Sequence, residues 1–222
     1  MIRVLLCDDQ ELVRAGFRLI LDLEDDVEVV GEAPDGKECQ RQVAVLRPDV
    51  VLMDIRMPQM DGVEATRRLV AAGSPAKVLV LTTFDLDEYV YDAMRAGASG
   101  FLLKDVPREQ LLFAVRAVAR GDAFMAPSIT RRLVERYVSA PAPGGGLPVQ
   151  LEVLSERERD VFGLLARGCS NAEIAETLVL GDSTIKTHVG NILVKLGLRD
   201  RVQAVVLAYE SGYLMPGGAA SA

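Results

Sequence analysis

The residues VVLMDIRMPQMDG, at positions 50–62, place an aspartate directly after a short apolar run. The run at 50–53 is apolar at every position, which is typical of a parallel strand buried on both faces. Asp54 follows it, and the segment from 62 to 72 then has the apolar spacing of a helix. This stretch therefore predicts a strand and a helix, joined by a loop that begins with a carboxylate.

The same alternation of short apolar runs and helical spacing extends across residues 1–120. Apolar runs occur at 4–7, 27–30, 78–81 and 100–103, and helical spacing occurs at about 10–24, 36–46, 87–96 and 108–120. Five such units predict an α/β fold, a doubly wound, five-stranded parallel sheet with helices on both faces. For the strand order 2-1-3-4-5, ligands bind at the carboxyl ends of strands one and three.

A second domain follows a stretch that cannot form a core. Residues 139–148, SAPAPGGGLP, contain three prolines, three glycines and no charge, which indicates a flexible linker. We predict four parts: the α/β domain at 1–120, a connecting helix near 128–138 with the linker within 121–150, a small all-α domain at 151–214, and a disordered tail at 215–222.

The all-α domain has two helix-start signals of the S-x-x-E type, at 155–158 and 170–173. Helical spacing predicts a short helix at 172–178, a turn at 179–182 and a longer helix at 183–196, with another helix near 200–211. Two helices joined by so short a turn predict a helix-turn-helix unit. The buried side of the longer helix is predicted to consist of Ile185, Val189, Ile192, Leu193 and Leu196.

Composition excludes several classes of protein. Half of the residues are hydrophobic and 26% are charged, so most of the chain is not expected to be disordered. No apolar run approaches the roughly 18 residues of a membrane span, and two acids by residue nine argue against a secretory signal. Three scattered cysteines and a single histidine argue against a disulfide framework and a conventional zinc site, and they exclude a histidine triad. We therefore expect a cytoplasmic protein, whose net charge of −7 does not by itself predict a nucleic-acid partner.

Carboxylates follow both strands that flank the predicted crevice. Asp8 and Asp9 come after the first strand, and Asp54 comes after the third. A single aspartate in such a place often does no more than begin a turn, but three of them would repel one another unless a cation lay among them. Ligands that are all oxygen suit Mg²⁺, which we predict as the cofactor.

The other strand ends supply groups that complement this cluster. Thr82 ends the fourth strand with a hydroxyl, and Lys104 ends the fifth with an ammonium that can bind an anionic oxygen. A carboxylate nucleophile, a metal, a hydroxyl and an ammonium together predict phosphoryl transfer onto Asp54.

Four segments resemble the receiver domain of two-component response regulators: CDD at 7–9, the stretch at 50–62, VLVLTTF at 78–84 and GASGFLLK at 97–104. The resemblance implies that a sensor histidine kinase phosphorylates Asp54. It also implies that Asp8, Asp9 and the backbone carbonyl of Arg56 join Asp54 around Mg²⁺. Thr82 and Lys104 would contact the phosphoryl oxygens, and Thr82 and Phe101 would form the switch. Many receivers have proline after the lysine, where this chain has Asp105.

The segments LSERERDVFGLLARGCSNAEIAETL and STIKTHVGNILVKLGLRDRVQAV resemble the LuxR-type DNA-binding domain, and the whole chain resembles the NarL/FixJ class of response regulators. The resemblance implies that Lys186 and Thr187 face bases in the major groove. His188 either contacts a phosphate or packs at the helix edge, and Gly181 stands where the family usually has Ser or Thr. The residues expected to contact mainly phosphates are Ser170, Asn171, Thr184, Asn191 and Lys195.

The interpretation that unites these observations is a phosphorylation-activated transcriptional regulator. It would bind repeated DNA half-sites as a homodimer favoured by phosphorylation, and would catalyse nothing beyond phosphoryl transfer to its own Asp54. One alternative is an α/β phosphatase with an aspartyl nucleophile, which commonly needs a second aspartate where this chain has Arg56. Another is a helix-turn-helix that binds protein instead of DNA.

Overall fold

The structure, a computed structural model, describes residues 1–82, 87–122, 124–125 and 149–214, with the backbone alone at 87–89, 91, 125 and 149. The predicted helix near 128–138, the linker at 139–148 and the tail at 215–222 lie outside these residues. The chain divides into two compact units, and each is described by itself.

The first unit is built on a parallel sheet whose strands are ordered β2-β1-β3-β4-β5-β6. The predicted order 2-1-3-4-5 is confirmed, and a two-residue strand extends the sheet beyond β5. Sequence patterns do not reveal this sixth strand, because two residues are too few to show a period. The strands are β1 (Ile2–Cys7), β2 (Val27–Ala33), β3 (Val50–Asp54), β4 (Lys77–Thr82), β5 (Gly100–Leu103) and β6 (Phe124–Met125).

Helices connect the strands, and the side chains of Asp35 and Asp61 cap two of them. Asp35 accepts hydrogen bonds from the backbone N–H groups of Lys37 and Glu38, and Asp61 accepts one from the N–H of Glu64. Each carboxylate thereby satisfies amide groups that have no partner within the first turn of a helix. The helices of this unit are α1 (Glu11–Leu21), α2 (Gly36–Leu46), α3 (Gly62–Ala71), α4 (Asp87–Ala96) and α5 (Arg108–Ala119).

The alternation of side chains along each strand assigns the two faces of the sheet. Leu79 and Leu81 of β4 and Leu102 of β5 belong to the apolar core that α1 and α5 cover. Since successive strand residues point to opposite faces, Thr82 and Phe101 share the other face. Both side chains are buried. The two predicted switch residues therefore lie in the interior on the same side of the sheet.

The second unit is entirely helical over its described residues. A short 3-10 turn (Val149–Leu151) precedes α6 (Glu156–Ala166), α7 (Asn171–Leu178), α8 (Asp182–Leu196) and α9 (Arg201–Glu210). Both predicted capping boxes are present, at Ser155 and at Ser170. None of the helices in the described part of the chain is long and apolar enough to cross a membrane.

The core of this unit determines which side of α8 faces outward. Ile185 and Ile192 are fully buried, and the other three residues of the predicted apolar side are partly buried against the same core. Burying side chains of this size stabilises a fold by roughly 1.5–3 kcal/mol each. The opposite side of α8 is therefore left at the surface.

Candidate functional site

The three predicted acidic residues lie together at the carboxyl ends of β1 and β3. These strands are direct neighbours, with Cys7 opposite Met53, so the residues that follow them are adjacent. Carboxylate oxygens of Asp8, Asp9 and Asp54 all lie within 4.8 Å of one another. Asp8 and Asp54 are buried and Asp9 is exposed, which leaves one side of the cluster open to solvent.

Lys104 projects its ammonium group into this cluster. Its Nζ atom lies 2.6 Å from Oδ2 of Asp8 and 3.1 Å from Oδ1 of Asp54, and its side chain is only 7% exposed. The backbone N–H of Lys104 donates to the carbonyl of Thr82 at 2.8 Å, which holds the ends of β5 and β4 together. The structure thus brings together Asp8, Asp54 and Lys104, which the sequence predicted from separate strand ends.

The environment of Asp54 disfavours its negative charge. Burial raises the pKa of its carboxyl group, and the nearby Asp8 raises it further, while the ammonium of Lys104 acts in the opposite direction. A second cation close to both carboxylates would offset their unfavourable negative charge. The available donors are carboxylate oxygens within 4.8 Å of one another, and oxygen is the ligand atom that Mg²⁺ prefers.

Arg14 supports the loop that carries Asp8, and no sequence motif indicated this. Its Nη1 atom donates to the carbonyl oxygen of Asp8 at 2.7 Å, and its Nε atom donates to Glu32 at 3.1 Å. Arg18, one turn further along α1, also donates to Glu32. The hydrogen bonds from Arg18 and Arg14 lower the pKa of Glu32 and anchor α1 to β2.

Gly62 packs directly against the backbone of Asp54. A Cβ atom at this position would overlap the carbonyl oxygen of Asp54, and the N–H of Gly62 donates to the carbonyl of Ile55 at 2.8 Å. The start of α3 therefore packs against the loop that positions the carboxylate of Asp54. This close approach explains why glycine ends the motif at 50–62.

Three other positions of the first unit were singled out by the sequence: Phe101, Arg56 and Asp105. Phe101 is fully buried, so its ring already points into the unit in this structure. The side chain of Arg56 is exposed on the loop after Asp54, and the role of its carbonyl as a metal ligand stays a prediction. The peptide bond between Lys104 and Asp105 is trans.

In the second unit, the beginning of α7 carries Ser170 and Asn171. Ser170 accepts a hydrogen bond from the N–H of Glu173 and caps the helix. Arg201, at the start of α9, donates to Oδ1 of Asn171 at 3.1 Å and also to the carbonyl of Cys169. Arg201 thus holds the side-chain oxygen of Asn171, and contact of Asn171 with a DNA phosphate stays a prediction.

The outward side of α8 presents the other residues predicted to contact DNA. Lys186 lies 2.9 Å from the carboxylate of Asp182 one turn earlier, and Thr187 donates its hydroxyl to the carbonyl of Ser183. His188 is half-buried, between this side and the core. Thr184 and Asn191, also in the predicted set, are exposed.

Lys195 has a partner that its predicted role did not include. Its Nζ atom lies 2.6 Å from Oε2 of Glu158, whose side chain is only 5% exposed. This hydrogen bond, together with those from the N–H and hydroxyl of Ser155, lowers the pKa of Glu158 to about 2. The ammonium of Lys195 therefore fastens α8 to α6, and contact with a DNA phosphate stays a prediction.

Two family models match the chain, and they cover the two units separately. The response regulator receiver domain matches residues 4–116, and the luxR family of bacterial regulatory proteins matches residues 152–208. Both matches agree with the folds and with the acidic cluster described above. The chain therefore belongs to the response regulators that join a receiver domain to a LuxR-type DNA-binding domain, and it is a transcriptional regulator of a two-component system.

Particular relatives share this organisation over nearly their whole length. The chain is 42% identical to the uncharacterised transcriptional regulatory protein YxjL of Bacillus subtilis strain 168, over 95% of this chain and 96% of the relative. It is 41% identical to the transcriptional regulatory protein LiaR of the same strain, over 95% and 98%. The crystal structure of ChrA, a response regulator of a heme-sensing two-component system, is 41% identical and has a TM-score of 0.53, with 94% and 96% covered.

Proposed function

We propose that Asp54 accepts a phosphoryl group from a sensor histidine kinase, and that this modification switches DNA binding by the second unit. The observation that carries the proposal is the position of Lys104, whose ammonium lies between Asp54 and Asp8 in a cluster of three carboxylates. Such a site combines a nucleophile with the positive charge that an incoming phosphoryl group needs. The separate family matches also support the predicted domains at 1–120 and 151–214.

The groups around Asp54 support a direct transfer from the kinase histidine. An oxygen of Asp54 would form a bond to the phosphorus atom as the bond between phosphorus and the kinase histidine breaks, with its electron pair going to the imidazole nitrogen. Lys104 would exchange its contact with Asp54 for one with a phosphoryl oxygen, and Thr82 would donate its hydroxyl to another. Mg²⁺, held by Asp8, Asp9, Asp54 and the carbonyl of Arg56, would neutralise charge on the phosphoryl oxygens.

The switch would start from the charge that phosphorylation adds, which is roughly −1.5 to −2. Thr82 and Phe101 lie on one face of the sheet, so a movement of Thr82 towards the phosphoryl group would change the packing beside Phe101.

The second unit would place α8 in the major groove of DNA. Lys186 and Thr187 would contact base edges, while Ser170, Asn171, Thr184 and Asn191 would contact phosphates and fix the position of the unit. A homodimer favoured by phosphorylation would match repeated half-sites, and a cytoplasmic location agrees with these partners.

Labelling with a small phosphodonor tests the assignment of Asp54. The purified full-length chain should incorporate phosphate when it is incubated with acetyl phosphate and Mg²⁺. The Asp54→Asn variant should not, because an amide cannot replace the carboxylate nucleophile. Asp9→Asn should incorporate phosphate more slowly than the wild type, since it removes one metal ligand and leaves the nucleophile. Undiminished labelling of Asp54→Asn would show that the acceptor lies elsewhere.

A further inference from the structure

Gly190 lies in the interior of α8, and no contact with the part of the chain that the structure describes requires a glycine there. It is exposed, and a Cβ atom at this position would meet nothing within 4 Å. Its φ angle is not among the positive values found in the structure. An alanine would therefore fit here without strain, in an element where alanine is the best helix former.

Most other glycines in the described ranges have an internal explanation. Some have a positive φ, and others sit so close to a neighbour that a side chain would not fit without adjustment. Gly181 precedes the first turn of α8 as its N-cap. Gly16 in α1 is the one described glycine that shares the features of Gly190: helical, and with open space around it.

Keeping a glycine inside a helix has a cost. Relative to alanine, an interior helical glycine weakens the folding equilibrium by a factor of about five. No contact with the described residues compensates for this cost at position 190, so a benefit would come from a partner that binds to the outside of α8.

The position of Gly190 on the helix indicates what that partner is. It lies three residues after Thr187 and four after Lys186, so all three residues are on one side of α8. Val194, one turn further, is 82% exposed on the same side. The side of the helix that carries the predicted base contacts thus has its smallest residue at its centre.

We propose that Gly190 is the point of closest approach between α8 and DNA. The absence of a side chain would let the helix backbone lie against the wall of the major groove. The depth of α8 in the groove would in turn set how far Lys186 and Thr187 reach towards the base edges. Gly190 is then a positioning residue for sequence recognition, a role that rests on the proposed placement of α8 in the groove.

The experiment uses the full-length phosphorylated chain and a duplex that the wild type selects from a randomised library. Gly190→Ala should raise the thermal unfolding midpoint and lower affinity for the selected duplex at least fivefold. Gly190→Leu should lower affinity at least fiftyfold, because the larger side chain holds the helix further out. Gly16→Ala is the matched control: it adds the same methyl group to an open helix position in the other unit, and it should bind DNA like the wild type.

Lys186→Ala in the same assay separates this proposal from the role of α8 itself. If Lys186→Ala loses affinity while Gly190→Ala and Gly190→Leu bind like the wild type, the close approach is wrong and α8 still contacts DNA. If none of the three loses affinity, the placement of α8 is wrong as well. An equal loss in Gly190→Ala and Gly16→Ala would also overturn the proposal, because the effect would then not depend on the DNA-facing side.

Discussion

The ammonium nitrogen of Lys104 lies 2.6 Å from a carboxylate oxygen of Asp8, although the two residues end strands that are not neighbours in the sheet. β3 and β4 lie between them, and Asp54 of β3 shares the same ammonium at 3.1 Å. One buried cation thus serves two buried carboxylates. The cluster of three carboxylates and one ammonium keeps a surplus of negative charge, which a metal ion would balance.

This arrangement predicts that the nucleophile reduces the stability of the fold. Because the pKa of Asp54 is raised in the folded protein, its ionised form is disfavoured by folding, and the cost is present at pH values above that raised pKa. Asp54→Asn removes the charge and should increase the free energy of unfolding on the order of 1 kcal/mol at neutral pH without Mg²⁺. Urea denaturation measures the difference. The exposed Asp9→Asn should change stability less, and a destabilised Asp54→Asn would contradict the interpretation of the site.

A second prediction concerns the loss of stability at low pH and the ion pair between Lys195 and Glu158. The pKa of Glu158 is lowered from 4.5 to about 2, so the stability it contributes is present above pH 4.5 and is lost as the pH falls towards 2. Lys195→Met should reduce that loss, because the hydrogen bond from Lys195 is the largest cause of the lowered pKa. Hydrogen exchange of the backbone amides in α6 and α8, measured across this pH range, reports this loss of stability.

The control for this prediction is Lys186→Met, which removes a lysine from the same helix. Its partner Asp182 is well exposed, and exposed ion pairs contribute little to stability. The acid dependence of Lys186→Met should therefore follow that of the wild type. If Lys195→Met and Lys186→Met behave alike, Glu158 is not the group responsible.

A third prediction tests the contact between Gly62 and the loop of Asp54. Gly62→Ala introduces a methyl group where the carbonyl oxygen of Asp54 lies, so the loop or the start of α3 has to move. We expect a loss of about 1–3 kcal/mol in the free energy of unfolding, together with slower labelling by acetyl phosphate. Gly16→Ala, which adds the same atoms in open space, should be neutral or stabilising. Normal labelling by a Gly62→Ala variant would show that the loop tolerates displacement.

A fourth prediction concerns the cap of α8. Gly181 has an extended backbone with no side-chain acceptor, and a Cβ atom there would be in ordinary contact with its neighbours. Gly181→Ser should therefore stabilise the second unit by a few tenths of a kcal/mol, because its hydroxyl can accept from an N–H group of the first turn. Gly181→Ala has no acceptor and should destabilise the unit. Thermal denaturation distinguishes the two, and equal midpoints would show that capping has no influence at this end of α8.

The sequence was sufficient for features that repeat along the chain or that the strand order brings together. Runs of apolar residues predicted the strands, and the ends of parallel strands then placed Asp8, Asp54 and Lys104 in one crevice. The helical period likewise identified Ile185 and Ile192 as the buried side of α8. These features depend on local pattern and topology, which a single sequence contains.

Long-range side-chain partners could not be predicted in the same way. Arg14 supports the backbone of Asp8, and Lys195 binds Glu158, which lies 37 residues earlier. The sequence around an arginine or a lysine does not show whether its charged group contacts a buried partner or solvent, because the long side chain can reach many positions. Such contacts depend on how the helices pack, and they modify the predicted role of Lys195 most of all.

The most direct test of the account is the affinity of the full-length chain for its selected duplex, with and without acetyl phosphate and Mg²⁺. Wild-type protein should bind at least tenfold more tightly after phosphorylation, a difference of about 1.4 kcal/mol, and Asp54→Asn should show no change with the phosphodonor. Phosphorylation of Asp54 would not be the switch if Asp54→Asn gained affinity with the phosphodonor as the wild type does, or if phosphorylated wild type bound no better than the untreated protein.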